Sequence, residues 1–200
     1  MDNYQMVNCD WELLTPHDCF SDVMDYAWYV SAVDYVAVHG IMSGNTNGTF
    51  APEKALTRAE LVTLLWSKEG KPEAASDVSF NDVADSDWFA AKVKWAAAAG
   101  IVSGYTDGSF KPNKQVSRQE LAQMIFAYAK YKNVDVSASG SLAGFSDSNA
   151  AGGWARPALQ WAVGAGILSG SNGRLMPTSS AKRCEVASMF MRFVENFKLG

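Results

Sequence analysis

Apolar residues recur along this chain at helical intervals, in stretches interrupted by glycine-rich loops. Trp88, Lys92, Trp95, Ala96 and Ala99 fall on one face of a helix, and so do Trp28, Ala32, Tyr35 and Val36, and Trp154, Ala158, Trp161 and Ala162. Ser86 and Asp87 are N-cap candidates, and Gly100 is placed to end the helix that follows. Helices are therefore predicted to begin near Trp28, Trp88 and Trp154. A second set is predicted near Thr57, Ser117 and Arg183. Thr57-x-x-Glu60 and Ser117-x-x-Glu120 read as capping boxes ahead of apolar stripes such as Leu121, Met124, Ile125 and Tyr128. Between the two helices of each pair runs a loop with an Asn47-Gly48 or Asp107-Gly108 tight turn. Phe50, Phe110 and Leu175 are expected to pin these loops to the core, with no more than a pair of very short strands.

The pattern is a repeat. Phe20-Ser21-Asp22-Val23 returns as Phe80-Asn81-Asp82-Val83, an offset of 60 residues that also relates Trp28 to Trp88, Pro52 to Pro112, Arg58 to Arg118 and Glu60 to Glu120. A third copy opens at Phe145-Ser146-Asp147; Arg183 and Glu185 lie 65 residues beyond Arg118 and Glu120. The units are read as 20–70, 80–132 and 145–198, after an arm of residues 1–19. Stretches 70–79 and 133–144 read as flexible connections. One unit has too little core to stand alone, so the three are expected to pack as one compact, mainly α domain of helix-loop-helix repeats. Such packing can close around a pseudo-threefold axis, with equivalent grooves between neighbours.

Composition narrows the function. With 48% hydrophobic and 19% charged residues the chain is an ordinary globular one. A net charge of -4 argues against a broad grip on nucleic acid. No window is long and apolar enough to span a membrane. The first residues lack a basic region followed by an apolar run, so they are not read as a signal peptide, leaving either an intracellular protein or a segment already processed. Of three cysteines, Cys9 and Cys19 can pair in the arm, although free thiols are the favoured reading; Cys184, in a helical first turn, is expected free, and reactive if exposed. No CxxC pair exists, and His17 and His39 do not complete a ligand set, so neither a metal nor a cofactor is expected. No nucleophile elbow, phosphate loop or matched carboxylate pair points to catalysis.

Arg58, Arg118 and Arg183 sit in first turns, where the helix dipole disfavours a cation. They are either anion ligands, working with free N–H groups of the helix start, or members of buried ion pairs with Asp22, Asp82 or Asp147. As ligands they should be partly exposed and contribute little to stability. Glu60, Glu120 and Glu185 read as capping partners. Trp28, Trp88 and Trp154 either stack on sugar rings or fill the core. Gly44, Gly104 and Gly170 are either positive-φ loop positions or places where backbone approaches a ligand.

The ordered motifs Phe-x-Asp-Val, Trp-Tyr or Trp-Phe, Gly-Ile-Met/Val-Ser-Gly, Asn/Asp-Gly with Thr/Ser-Phe-x-Pro, and Leu56-Thr57-Arg58-Ala59-Glu60 resemble the S-layer homology family over about residues 20–198. The resemblance implies three tandem S-layer homology repeats in a three-pronged pseudo-threefold domain. It implies a non-catalytic anchor in the cell wall or S-layer, a piece of a larger surface protein, binding an anionic and often pyruvylated secondary cell-wall polysaccharide. Ligand roles would fall on the three arginines and on Gly44, Gly104 and Gly170. The competing reading is a structural or protein-interaction module that has kept the fold and lost the ligand. Copy three departs most: Lys182-Arg183-Cys184-Glu185 lacks the Thr/Ser cap unless Ser179 or Ser180 moves the helix start, and its loop is one residue shorter.

Overall fold

Thr57 accepts from the Glu60 amide while the Glu60 carboxylate accepts from the Thr57 amide, and Ser117 and Glu120 repeat this exchange. These reciprocal bonds start α2 (Arg58–Lys68) and α4 (Arg118–Tyr131) where the sequence places them. In the computed structural model of the chain, which describes residues 15–73 and 78–199, four further α-helices are α1 (Val30–Val38), α3 (Ala90–Ala98), α5 (Arg156–Gly164) and α6 (Arg183–Phe197). Among the described residues extended pairing is confined to isolated bridges, so the fold is mainly α. Copy three keeps the helix start at Arg183 although Lys182 offers no side-chain acceptor; only the Glu185 half of the box remains.

The first helix of each copy begins two residues later than predicted. Asp87 does not cap α3: its carboxylate accepts from the Ala84 amide and shapes the preceding turn. Trp28, Trp88 and Trp154 thus stand ahead of their helices. The C-termini follow expectation. Gly40, Gly100 and Gly166 take positive φ, and the buried Ile41, Ile101 and Ile167 each reach back to a last-turn carbonyl.

The helices pair across copies. α2 of copy one packs on α3 of copy two, α4 of copy two on α5 of copy three, and α6 of copy three on α1 of copy one. By contacts the chain divides into a unit formed by residues up to Ala55 with those from Lys182 onward, and a unit spanning Leu56–Ala181. The first holds the α1–α6 pair, with Val33, Val36, Phe50, Phe190 and Phe193 in its core. The second holds the other two pairs around Leu61, Leu65, Phe110, Leu121, Ile125 and Trp161. Within the second unit the residues just ahead of the caps form a closed cycle. The Leu56 amide donates to Ala181, Ala181 to Val116, and Val116 to Leu56, at 3.1, 2.8 and 2.9 Å.

The stretch 133–144 is not a loose connection. Gly140 donates to the Gln160 carbonyl at 2.7 Å, a Cβ on Gly164 would lie 2.6 Å from the Gly140 nitrogen, and Leu142 is buried. Two glycines let the segment lie directly on α5. Of stretch 70–79, residues 74–77 lie outside the described residues.

Candidate functional site

Each glycine loop is held by a carboxylate. Asp22 accepts the amides of Phe50 and Ala51, Asp82 those of Phe110 and Lys111, and Asp147 those of Leu175 and Met176, all between 2.7 and 2.9 Å. The second residue of each pair, Ala51, Lys111 or Met176, has positive φ and precedes a proline. That conformation is costly for an L-residue, and two charge-assisted bonds hold it.

The arginines grip the same loops, and neither sequence reading describes how. Arg58 Nε donates to the Phe110 carbonyl at 2.8 Å and Nη2 to Ser103 at 3.0 Å. Arg183 treats Phe50 and Ser43 likewise, at 2.7 and 2.8 Å, and Arg118 Nε reaches the Leu175 carbonyl at 2.8 Å. The bonds shown are to main-chain carbonyls; Asp22, Asp82 and Asp147 spend their oxygens on loop amides. Arg58 and Arg118 are only 6% exposed, whereas Arg183 is half-buried. The first-turn amides are committed too. Arg58 and Ala59 donate to Lys114 and Pro112, Arg118 and Gln119 to Ser179 and Pro177, and Arg183 and Cys184 to Lys54 and Pro52. The helix start is therefore capped by the next copy's loop and offers no free N–H pair to an anion.

Gly44, Gly104 and Gly170 are glycine for a third reason. A Cβ at these positions would meet Cε1 of Phe20, Phe80 or Phe145 at 2.3, 2.5 or 2.7 Å. The phenylalanine of each Phe-x-Asp motif occupies that space, and only Gly170 of the three has positive φ.

Within the unit Leu56–Ala181 these elements border a cavity of about 460 Å³. Arg58 lies at one side, the Gly100–Tyr105 loop forms the floor, Gln123, Met124 and Ala127 of α4 form a wall, and Trp154 stands opposite. Trp154 is 57% exposed, and Trp28 and Trp88 are 67% and 55% exposed, so these indoles do not fill the core. Tyr105 was not singled out by the sequence. Its ring centre lies 5.1 Å from the Arg58 guanidinium, 4.3 Å from Lys111 Nζ and 5.4 Å from Lys114 Nζ. Burial works against the charge of Glu120, but bonds from Lys114 and Ser117 outweigh it and hold the carboxyl down at about 2. Lys114 neutralises this carboxylate at 2.5 Å, while Arg58 is bonded to neutral carbonyls, so the cavity rim carries unbalanced positive charge. An exposed indole, a tyrosine and a guanidinium around one groove suit a sugar ring bearing an acidic group.

The cysteines sit differently from the favoured reading. Cys19 is in a disulfide, and Cys9 lies outside the described residues. Cys184 is free but 1% exposed, and burial, with Glu53 and Glu185 nearby, pushes its thiol up to about 12. The first-turn position does not make it reactive, because desolvation outweighs the dipole.

The sequence model of the S-layer homology domain matches residues 20–62 and 79–122. The chain is 32% identical over 181 residues to the surface-layer 125 kDa protein of Lysinibacillus sphaericus, covering 88% of this chain and 15% of that protein. It is 32% identical over 111 residues to a cellulosome-anchoring protein of Acetivibrio thermocellus, covering 53% and 25%. It is also 29% identical over 182 residues to an exoglucanase of that species, covering 88% and 16%. The chain thus corresponds to a minor part of much longer proteins. No helix among the described residues is long and apolar enough to cross a membrane.

Proposed function

We propose that this chain is a non-catalytic anchoring module at the cell surface that binds an anionic cell-wall polysaccharide. The observation that carries this reading is the groove in which Arg58, Tyr105 and exposed Trp154 face one cavity. Stretches of S-layer and cellulosome-anchoring proteins similar to this one support a wall location outside the membrane, within a larger surface protein. The exoglucanase resemblance covers only a small share of that enzyme, which fits an anchor joined to a catalytic portion elsewhere. The third copy is read as a further S-layer homology repeat because Asp147, Arg183 and Gly170 repeat the contacts of the first two. The cyclic helix pairing and the cycle of hydrogen bonds at Leu56, Val116 and Ala181 support one domain of pseudo-threefold packing. A pyruvylated amino sugar, which the resemblance implies, fits the rim charge by carrying its carboxylate toward Arg58. Gly104 then serves the ligand by forming a floor without side chain, as Gly44 and Gly170 do in the other loops, and Trp28, Trp88 and Trp154 offer faces to sugar rings.

A second reading is favoured by one observation: Arg58 and Arg118 are buried and spent on loop carbonyls, as architecture alone would require. Sedimentation with purified wall sacculi, native and after mild acid has stripped acidic ketals, separates the two. The anchor is retained by native sacculi and released by stripping; a purely structural module is retained by neither.

A further inference from the structure

Lys92 stands where the other copies have Ala32 and Ala158. Both alanines are buried, so the fold needs no more than a methyl group at this place. Lys92 is 9% exposed, yet Trp88, one turn before it, is 55% exposed. The ammonium lies 4.8 Å from the Trp88 ring centre and 5.4 Å from that of Trp66 on α2, whose Nε1 donates to the Pro72 carbonyl at 2.8 Å. A cation withdrawn from water is expensive, and two indole faces offset that cost only in part. Copy two thus carries a charge that packing does not require, directly behind one of its most exposed aromatic surfaces.

We propose that Lys92 is a specificity-determining residue, which makes the Trp88 surface of copy two prefer an acidic glycan to a neutral one. The inference rests on the wall-glycan reading above. The indole supplies a flat apolar face for a pyranose ring, and that face alone does not distinguish acidic from neutral sugars. The ammonium behind it raises the potential at the indole edge, where screening by water is reduced, and favours a ring carrying a carboxylate or phosphate. Its buried stem also braces the indole in its outward position.

The test uses the whole chain and sacculi of Lysinibacillus sphaericus, native or acid-stripped, with the parent, Lys92→Met, Lys92→Arg and Trp88→Ala. Lys92→Met is expected to weaken retention on native sacculi by about 3- to 10-fold at low salt and to flatten its salt dependence. Its retention on stripped sacculi stays at the parent level, Lys92→Arg behaves as the parent, and Trp88→Ala loses retention on both. Lys92→Met binding native sacculi like the parent, with the same salt dependence, overturns the proposal. So does a Lys92→Met protein that melts far lower and loses native and stripped sacculi alike, since the lysine is then structural. A parent that prefers neither form also overturns it. A parent retained by no sacculi sinks the wall-glycan reading itself and this proposal with it.

Discussion

Arg58 and Asp82 hold opposite ends of one residue: Arg58 Nε donates to the Phe110 carbonyl at 2.8 Å, and Asp82 Oδ1 accepts the Phe110 amide at 2.7 Å. Arg58 comes from copy one and Asp82 from copy two, so the loop of copy two is fixed by both. Arg183 and Asp22 do the same to Phe50, and Arg118 and Asp147 to Leu175.

Arg58→Ala leaves the buried carbonyls of Phe110 and Ser103 without their donors. It should cost about 2–4 kcal/mol in urea unfolding, against the small loss expected of a purely ligand-binding arginine. Arg58→Lys should recover less than half of that, because one ammonium cannot match the fork that reaches both carbonyls. A parent-like unfolding midpoint for Arg58→Ala would falsify the architectural role.

Asp82→Ala should cost about 2–3 kcal/mol, since two loop amides lose a charged acceptor while Lys111 keeps its positive φ. Asp82→Asn, which retains an acceptor oxygen, should fall between Ala and the parent. Equal stability of the two variants would mean that the charge and both bonds are irrelevant.

Gly104→Ala places a methyl group 2.5 Å from Phe80 Cε1 and 2.9 Å from the Ser109 carbonyl. A loss of about 1–3 kcal/mol is expected from this overpacking. Adding Phe80→Leu should return part of it, and a double-mutant cycle reads the coupling. Strict additivity of the two changes would show that the ring is not what excludes the methyl.

Glu120 gives a pH dependence of defined sign. Its folded value near 2 lies below the ordinary 4.5, so the stability it contributes is complete above the ordinary value. That stability is lost as pH falls from about 4.5 toward 2. Thermal melting should therefore drop across this window more steeply for the parent than for Glu120→Gln, which should already melt lower at pH 7. Parallel curves for the two proteins would remove Glu120 from the account.

Cys184 should resist a thiol reagent in the folded protein and react fully once unfolded without reductant, while the Cys19 disulfide consumes none. Rapid modification of the native chain would contradict the burial of this thiol.

Helix existence and the second-helix starts were legible because local chemistry decides them. The Thr57–Glu60 and Ser117–Glu120 exchanges, and the glycines at 40, 100 and 166, act within a few residues. What the arginines do was not legible. Their partners lie 45 to 140 residues away and are main-chain carbonyls, which leave no mark in side-chain patterns. Gly44 and Gly104 were misread for the same reason: the ring that requires them belongs to a motif 24 residues earlier. The tryptophans could be assigned to core or surface only after their helices proved to start two residues later. Tyr105 and Lys92 left a faint trace, as single positions where copy two departs from the residues of its sister copies.

The hydrogen bonds joining Leu56, Val116 and Ala181 form a circuit with no loose end, since each residue's donor finds the next residue's acceptor. Such a circuit counts. A chain with two copies would leave a donor and an acceptor facing vacant space, and a fourth copy would have to break a link to enter. Because each second helix also leans on the first helix of the following copy, a duplication or deletion of one repeat disturbs two partners rather than one. Lengthening by single repeats, the usual route by which stacked arrays grow, is closed to this architecture. Variation is left to work on side chains within a fixed triplet.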